Sequence, residues 1–260
     1  MRSPPVSPSD RVRRRGMILV VTLALLIAGC AKRSIETPIP SDHWPEPPSQ
    51  APRRLMLMLP GYQDSEAHFR RNGFFDLVAR QPEGFRDWQL IALDSHVGYF
   101  QTGTMPQRIE NEVMKAYPDI PVTLLGVSFG GFGALYLARA FPDRVDELVL
   151  FAPFLGRRDF LKRLHMEGLS EFQPRDRLER ELLDNWRFLL EDSRRTGVEI
   201  HILHGESDRL APAVELLAPK APHIKVTTRP GGHKWKIWHG LFEAWLRDRK
   251  PQHVPAPERP

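Results

Sequence analysis

The sequence predicts an α/β fold: a mostly parallel sheet of about six strands with helices on both faces. Three observations point there. Short apolar runs at 54–59, 89–93, 122–127, 147–151, 198–203 and 223–228 alternate with helical patterns near 64–80, 105–117, 130–141, 179–192, 212–219 and 234–248. That alternation is the signature of strands joined by covering helices, which forces a parallel sheet. The segment is about 200 residues long, enough to bury one good core as a single domain. No internal repeat is present.

The amino terminus is not part of this pattern. Arg11, Arg13, Arg14 and Arg15 precede the apolar stretch from Met17 to Gly29, which ends at Cys30, the chain's only cysteine. A positive region followed by about a dozen apolar residues reads as a secretory signal, too short for a membrane span. Leu26-Ile27-Ala28-Gly29-Cys30 resembles the lipobox of bacterial lipoproteins, which implies cleavage before Cys30 and lipidation of that residue. Ala31 at the following position resembles the pattern of lipoproteins sent to the outer membrane, so the resemblance implies an envelope protein anchored there and facing the periplasm. A single cysteine rules out an intramolecular disulfide in the mature chain.

Cleavage also changes the charge. Residues 1–29 hold five arginines and one aspartate, so 37 basic against 32 acidic residues become 32 against 31. With the basic excess confined to the signal, and no basic stripe interleaved with aromatics, the sequence gives nucleic acid no footing as a partner. It also has no Cys-x-x-Cys, no His-Glu-x-x-His and no phosphate-cradling glycine loop ending in Lys-Ser/Thr, so neither metal nor nucleotide cofactor is expected.

From residue 30 to 52 the chain is rich in proline (Pro38, Pro40, Pro45, Pro47, Pro48, Pro52) and lacks apolar periodicity, which reads as an extended tether. The folded domain is expected over 53–250, with a disordered tail at 251–260. Residues 156–178 follow a strand with closely spaced charges and irregular apolar positions, and read as a short lid or an elongated loop. A short lid implies an open pocket.

The chemistry-bearing residues fall after strands. Ser128 lies in Gly126-Val127-Ser128-Phe129-Gly130, between the run Val122-Thr123-Leu124-Leu125 and a helical pattern. A serine on so sharp a strand-to-helix turn has close neighbours two residues away on both sides, and both are glycine. Asp208 follows the run at 198–203, and His233 follows the run at 223–228. In a parallel sheet these loops open on one edge, so the three residues can converge in the chain order serine, acid, histidine.

On these residues the chain, over roughly 53–249, resembles the α/β-hydrolase family. The resemblance implies Ser128 as nucleophile, His233 as general base and then acid, and Asp208 as the residue orienting the imidazole. It implies an oxyanion hole from the backbone N–H of Phe129 and a second one in the loop Pro60-Gly61-Tyr62-Gln63-Asp64, taken as that of Tyr62. Many relatives have His-Gly where this chain has Pro60-Gly61. Asp159, after the run at 147–151, is the rival acid; His239 is the rival histidine, expected to pack within a helix; His204 and His96 are expected to be structural or pocket-lining. Asp94-Ser95-His96 followed by Tyr99 and Phe100 is similar to the esterase-D-like and feruloyl-esterase-like branches, which would place Tyr99 and Phe100 near the substrate pocket. The expected activity is carboxylic ester hydrolysis through a covalent acyl-enzyme. Acyl transfer or peptide cleavage by the same triad, and a non-catalytic envelope binding protein, are the alternatives.

Overall fold

The computed structural model describes residue 35, residues 37–47 and residues 52–249. The expected signal peptide at 1–29, the lipidation candidate Cys30 and the tail at 251–260 lie outside the described residues. No helix among those described is long and apolar enough to cross a membrane.

The sheet has seven strands: β1 (Ser41–Trp44), β2 (Arg54–Leu59), β3 (Trp88–Leu93), β4 (Val122–Val127), β5 (Val145–Phe151), β6 (Glu199–Gly205) and β7 (Lys225–Arg229), in the order β1-β3-β2-β4-β5-β6-β7. All neighbours pair parallel except β1, which runs antiparallel to β3. Six strands match the six apolar runs. The seventh, β1, lies within the stretch expected to be a tether, which corrects that expectation for residues 41–44. It is a short polar edge strand, tied down by Arg70, whose guanidinium donates to both oxygens of Asp42 at 2.5 and 2.7 Å and to the His43 carbonyl at 3.0 Å. Shortness and charge are how sheet edges avoid pairing with other chains, and they also leave no apolar pattern to read.

Side chains alternate between two cores because successive residues of a strand point to opposite faces. On β2, Leu55, Leu57 and Leu59 enter one core, while Met56 and Met58 enter the other. The first core is closed by α5 (Phe129–Ala140) through Phe132, Leu135 and Leu137. The second is closed by α9 (Trp235–Asp248) through Trp238, Leu241, Phe242 and Trp245, and by Phe69 of α1 (Ala67–Arg71) and Phe74 and Phe75 of α2 (Phe74–Ala79).

Several helices differ from expectation in their ends. The pattern at 64–80 divides into α1 and α2 because Gly73 takes a left-handed φ of 74° between them. The stretch after β3 forms α3 (Val97–Thr102) ahead of α4 (Met105–Glu112). Residues 156–178, expected as lid or loop, hold α6 (Arg158–Glu171), kinked at Gly168, where φ is 77°. This segment is pinned rather than loose: Phe160 and Leu164 are buried, and Arg163 donates from Nη1 to both oxygens of Glu179 at 3.0 Å. Glu179 belongs to α7 (Arg177–Arg187), which continues as a π-helical turn over Phe188–Asp192. The remaining long helix, α8 (Ala211–Leu217), follows β6.

Candidate active site

Chain order moves outward from β2 to β3, then returns across β2 to β4. The loops that follow these strands therefore part at the carboxyl edge beside β4, the crevice where ligands of open α/β sheets bind. Ser128 occupies that point, one residue past β4. Its φ of 54° and ψ of −113° lie outside the ordinary regions for a non-glycine residue, a strain the surroundings hold in place. The Ser128 N–H donates to the Phe151 carbonyl at 2.8 Å, and the Ser128 carbonyl accepts from Gly131 and Phe154 at 3.0 and 2.9 Å. The flanking glycines are required by contact. A Cβ on Gly130 would collide with the Leu59 carbonyl and lie 2.6 Å from the Pro60 carbonyl oxygen, and one on Gly126 would lie 2.7 Å from the Gly131 Cα.

Asp208 and His233 are brought together by extending the β6–β7 pairing beyond the strands. Glu206 N–H donates to the Arg229 carbonyl and Ser207 N–H to the Gly231 carbonyl, both at 2.9 Å. The two loops touch at Gly205, where a Cβ would lie 2.7 Å from the Gly231 carbonyl carbon. The result is a continuous chain of hydrogen bonds. Nδ1 of His233 lies 2.9 Å from both carboxylate oxygens of Asp208, and Nε2 lies 3.0 Å from Oγ of Ser128. The Asp208 side chain is fully buried, whereas that of His233 is 15% exposed. Leu210 N–H also donates to Oδ1 of Asp208 at 2.9 Å, and the Trp238 ring stands edge-on to the imidazole at 4.8 Å.

The sequence rivals are elsewhere. Asp159 is exposed at the start of α6, 3.9 Å from Arg175. His239 lies in α9 and packs edge-on to Phe74 at 6.5 Å. His204 is buried with Nδ1 3.0 Å from the Gly205 carbonyl, and His96 caps α3 by accepting from Gly98 N–H at 3.1 Å. The loop after β2 does reach the serine: a Cβ on Gly61 would lie 3.7 Å from the Ser128 Cβ. Tyr62, next along, is exposed, with its ring edge-on to Phe129 at 6.1 Å.

Ser128 opens into a cavity of about 520 Å³ walled by Phe100, Phe129, Phe132 and Phe154 and reached past Tyr62. Phe100 lines it as expected; Tyr99 does not, being fully buried beneath the Arg108 guanidinium. Leu178 of α7 also lines it, so the segment expected as a lid contributes a wall. Sequence reading missed Asp64, which ties the loop after β2 to the first residue of α9, two past His233: its Oδ2 accepts from Trp235 Nε1 at 3.2 Å, and its Oδ1 lies 3.3 Å from His68 Nε2. The only signal was proximity, since Trp235 follows His233 by two residues.

Among the described residues, one group has metal-ligand composition. Glu147, Glu199 and His201 place ligand atoms within 4.8 Å of one another. It lies near the amino ends of β5 and β6, away from Ser128. Protein cations already occupy its carboxylates: Arg249 donates to both oxygens of Glu147 at 2.6 and 2.7 Å, and Lys225 pairs with Glu199.

A family model described as alpha/beta hydrolase fold matches residues 55–180. Solved structures show the same likeness over most of the chain. A ferulic acid esterase aligns with a TM-score of 0.55 at 15% identity, covering 75% of this chain and 83% of its own. An S-formylglutathione hydrolase from Staphylococcus aureus aligns at 0.55 and 13%, covering 76% and 81%. A fluorophosphonate-binding serine hydrolase from the same organism aligns at 0.52 and 14%, covering 76% and 84%. No match was found among curated proteins.

Proposed function

The chain has the α/β-hydrolase fold, and from that premise we propose that it is a serine hydrolase of carboxylic esters working through a covalent acyl-enzyme. The observation that carries this reading is the hydrogen-bonded chain from Asp208 through His233 to Ser128, ending on a strained serine at the sheet's crevice. Structural neighbours that are esterases and serine hydrolases support it at the level of fold.

A serine hydroxyl is a poor nucleophile at neutral pH, so the attack needs a base in contact with it. In the proposed reaction Oγ of Ser128 bonds to the ester carbonyl carbon while its proton passes to Nε2 of His233. Asp208, held to Nδ1, fixes the tautomer with a free Nε2 lone pair and stabilises the imidazolium that results. The carbonyl oxygen takes the negative charge. Phe129, the first residue of α5, offers its N–H from a helix amino terminus, where the dipole favours an anion. Tyr62 N–H is the second donor, in the loop that Gly61 places beside Ser128. Collapse of the intermediate breaks the ester C–O bond, and Nε2 returns the proton to the departing alcohol. Water repeats the sequence to release the acid. The apolar cavity would hold the acyl or aromatic part of the substrate.

The test is pre-steady-state hydrolysis of p-nitrophenyl butyrate. A burst of nitrophenolate near one per active chain, absent in Ser128→Ala, is expected; slow release with no burst and no dependence on Ser128 would overturn the reading.

We further propose, from the lipobox resemblance alone, that Cys30 is lipidated and holds the enzyme at the periplasmic face of the outer membrane. Cys30→Ser should then remove the protein from the membrane fraction or block its maturation, and unchanged membrane attachment would contradict lipidation.

A further inference from the structure

The mouth of the cavity that holds Ser128 is charged in one sense. Arg157, Arg177 and Arg209 line it alongside the aromatic wall, with Glu181 the single carboxylate. Glu181 is already engaged, its Oε2 accepting from Arg139 Nη2 at 2.6 Å. Arg177 is held by a neutral group, donating from Nη1 to the Gln101 carbonyl at 3.1 Å, and so keeps its charge uncompensated. Arg157 and Arg209 are exposed, and their guanidinium groups have no hydrogen-bond or ion-pair partner among the described residues. The backbone of two of these residues is tied to the catalytic frame. Arg209 follows Asp208 directly, and Arg157 caps α6 three residues after Phe154, whose N–H is bonded to the Ser128 carbonyl.

Guanidinium groups present planar donor forks that match carboxylates, and a cleft of one sign raises the local concentration of oppositely charged substrate. From these observations, and resting on the hydrolase reading above, we infer that the site takes anionic esters: an apolar or aromatic body in the phenylalanine-walled cavity, with a carboxylate-bearing end at the arginine mouth. Neither a neutral short ester nor a cationic one uses this mouth. A cationic ester is repelled by it.

The experiment uses the full-length chain in detergent and two matched pairs of esters. One pair carries the charge on the acyl side: mono(4-nitrophenyl) glutarate against its methyl-capped diester. The other carries it on the leaving side: 4-carboxyphenyl butyrate against its primary amide. After division by each ester's rate with hydroxide, the anionic member should be favoured in kcat/KM by about tenfold in at least one pair, since exposed charge contacts are each worth severalfold at most. The preference should shrink as salt rises from about 0.05 to 0.5 M, as the Debye length contracts. The double variant Arg157→Gln/Arg209→Gln should cut the ratio severalfold, Arg177 alone remaining, while still being labelled by a fluorophosphonate, which shows the site still assembled. A ratio at or below one in both pairs, or a preference the double variant leaves intact, would overturn the inference while leaving ester hydrolysis standing. Absence of turnover on all four esters together with absence of fluorophosphonate labelling would instead sink the hydrolase reading beneath it.

Discussion

Replacing Asp208 with asparagine probes the proposed mechanism with the least change in shape. The side chain is fully buried and accepts from Leu210 N–H at Oδ1, while both of its oxygens lie 2.9 Å from Nδ1 of His233. In Asp208→Asn the backbone donor of Leu210 still demands an acceptor at that place, so the amide oxygen takes it. The NH2 group then stands in place of Oδ2, 2.9 Å from Nδ1, where its hydrogens oppose a proton on Nδ1. A donor there selects the imidazole tautomer that carries its proton on Nε2, which lies 3.0 Å from Oγ of Ser128 and can no longer receive the serine's proton. A wrong tautomer in this arrangement costs on the order of 10⁴ in kcat, or about 5.5 kcal/mol of barrier. The assay is single-turnover acylation by p-nitrophenyl butyrate, with circular dichroism to show the fold retained. Asp159→Asn is the control and should leave acylation unchanged, because Asp159 lies exposed at the start of another helix. A folded Asp208→Asn within tenfold of the parent, or a large loss in Asp159→Asn, would show that Asp208 does not set the imidazole tautomer.

Other expectations follow from the same contacts. Gly130→Ala places a methyl group on the Leu59 and Pro60 carbonyls and should abolish acylation and lower Tm, with a fully active, equally stable variant counting against the close approach at the elbow. Asp64→Ala unties Trp235 from the loop after β2, so kcat should fall with little change in KM; an unaltered kcat would show that the tie does not position the oxyanion loop. His201, flanked by Glu147, Glu199 and Lys225, has its pKa lowered chiefly by burial, against the pull of the two carboxylates. A lowered folded-state value means that the unfolded chain binds more protons in the window below the usual histidine pKa of 6.5. Its contribution to stability is therefore full above that pH and is lost as pH falls through the window. Tm measured from pH 7 to 5 should decline less steeply in His201→Asn than in the parent, and parallel curves would contradict the assignment.

What was legible in the sequence, and what was not, divides along physical lines. Ser128, Asp208 and His233 are each announced locally, by glycines and by apolar runs, because a parallel sheet fixes where its strand-end loops open. Asp208 reads as the acid, with Asp159 as its rival; the β6–β7 pairing carries Asp208 to within 2.9 Å of His233, while Asp159 lies exposed on another helix. Strand β1 was invisible because an edge strand four residues long needs no apolar alternation; Arg70 and Asp42 hold it instead. The break at Gly73 and the kink at Gly168 come from single left-handed residues within otherwise helical composition. Arg157, Arg177 and Arg209 could not be grouped in advance, because only the fold brings the starts of α6 and α7 and the loop after β6 to one cavity.

Whether Ser128 is an activated nucleophile is read out by treating the full-length chain in detergent with a fluorophosphonate and locating the adduct by mass spectrometry. A single adduct is expected on the peptide containing Ser128, absent from Ser128→Ala and strongly slowed in His233→Ala. An unlabelled, folded protein, or an adduct on a different serine, would contradict that assignment.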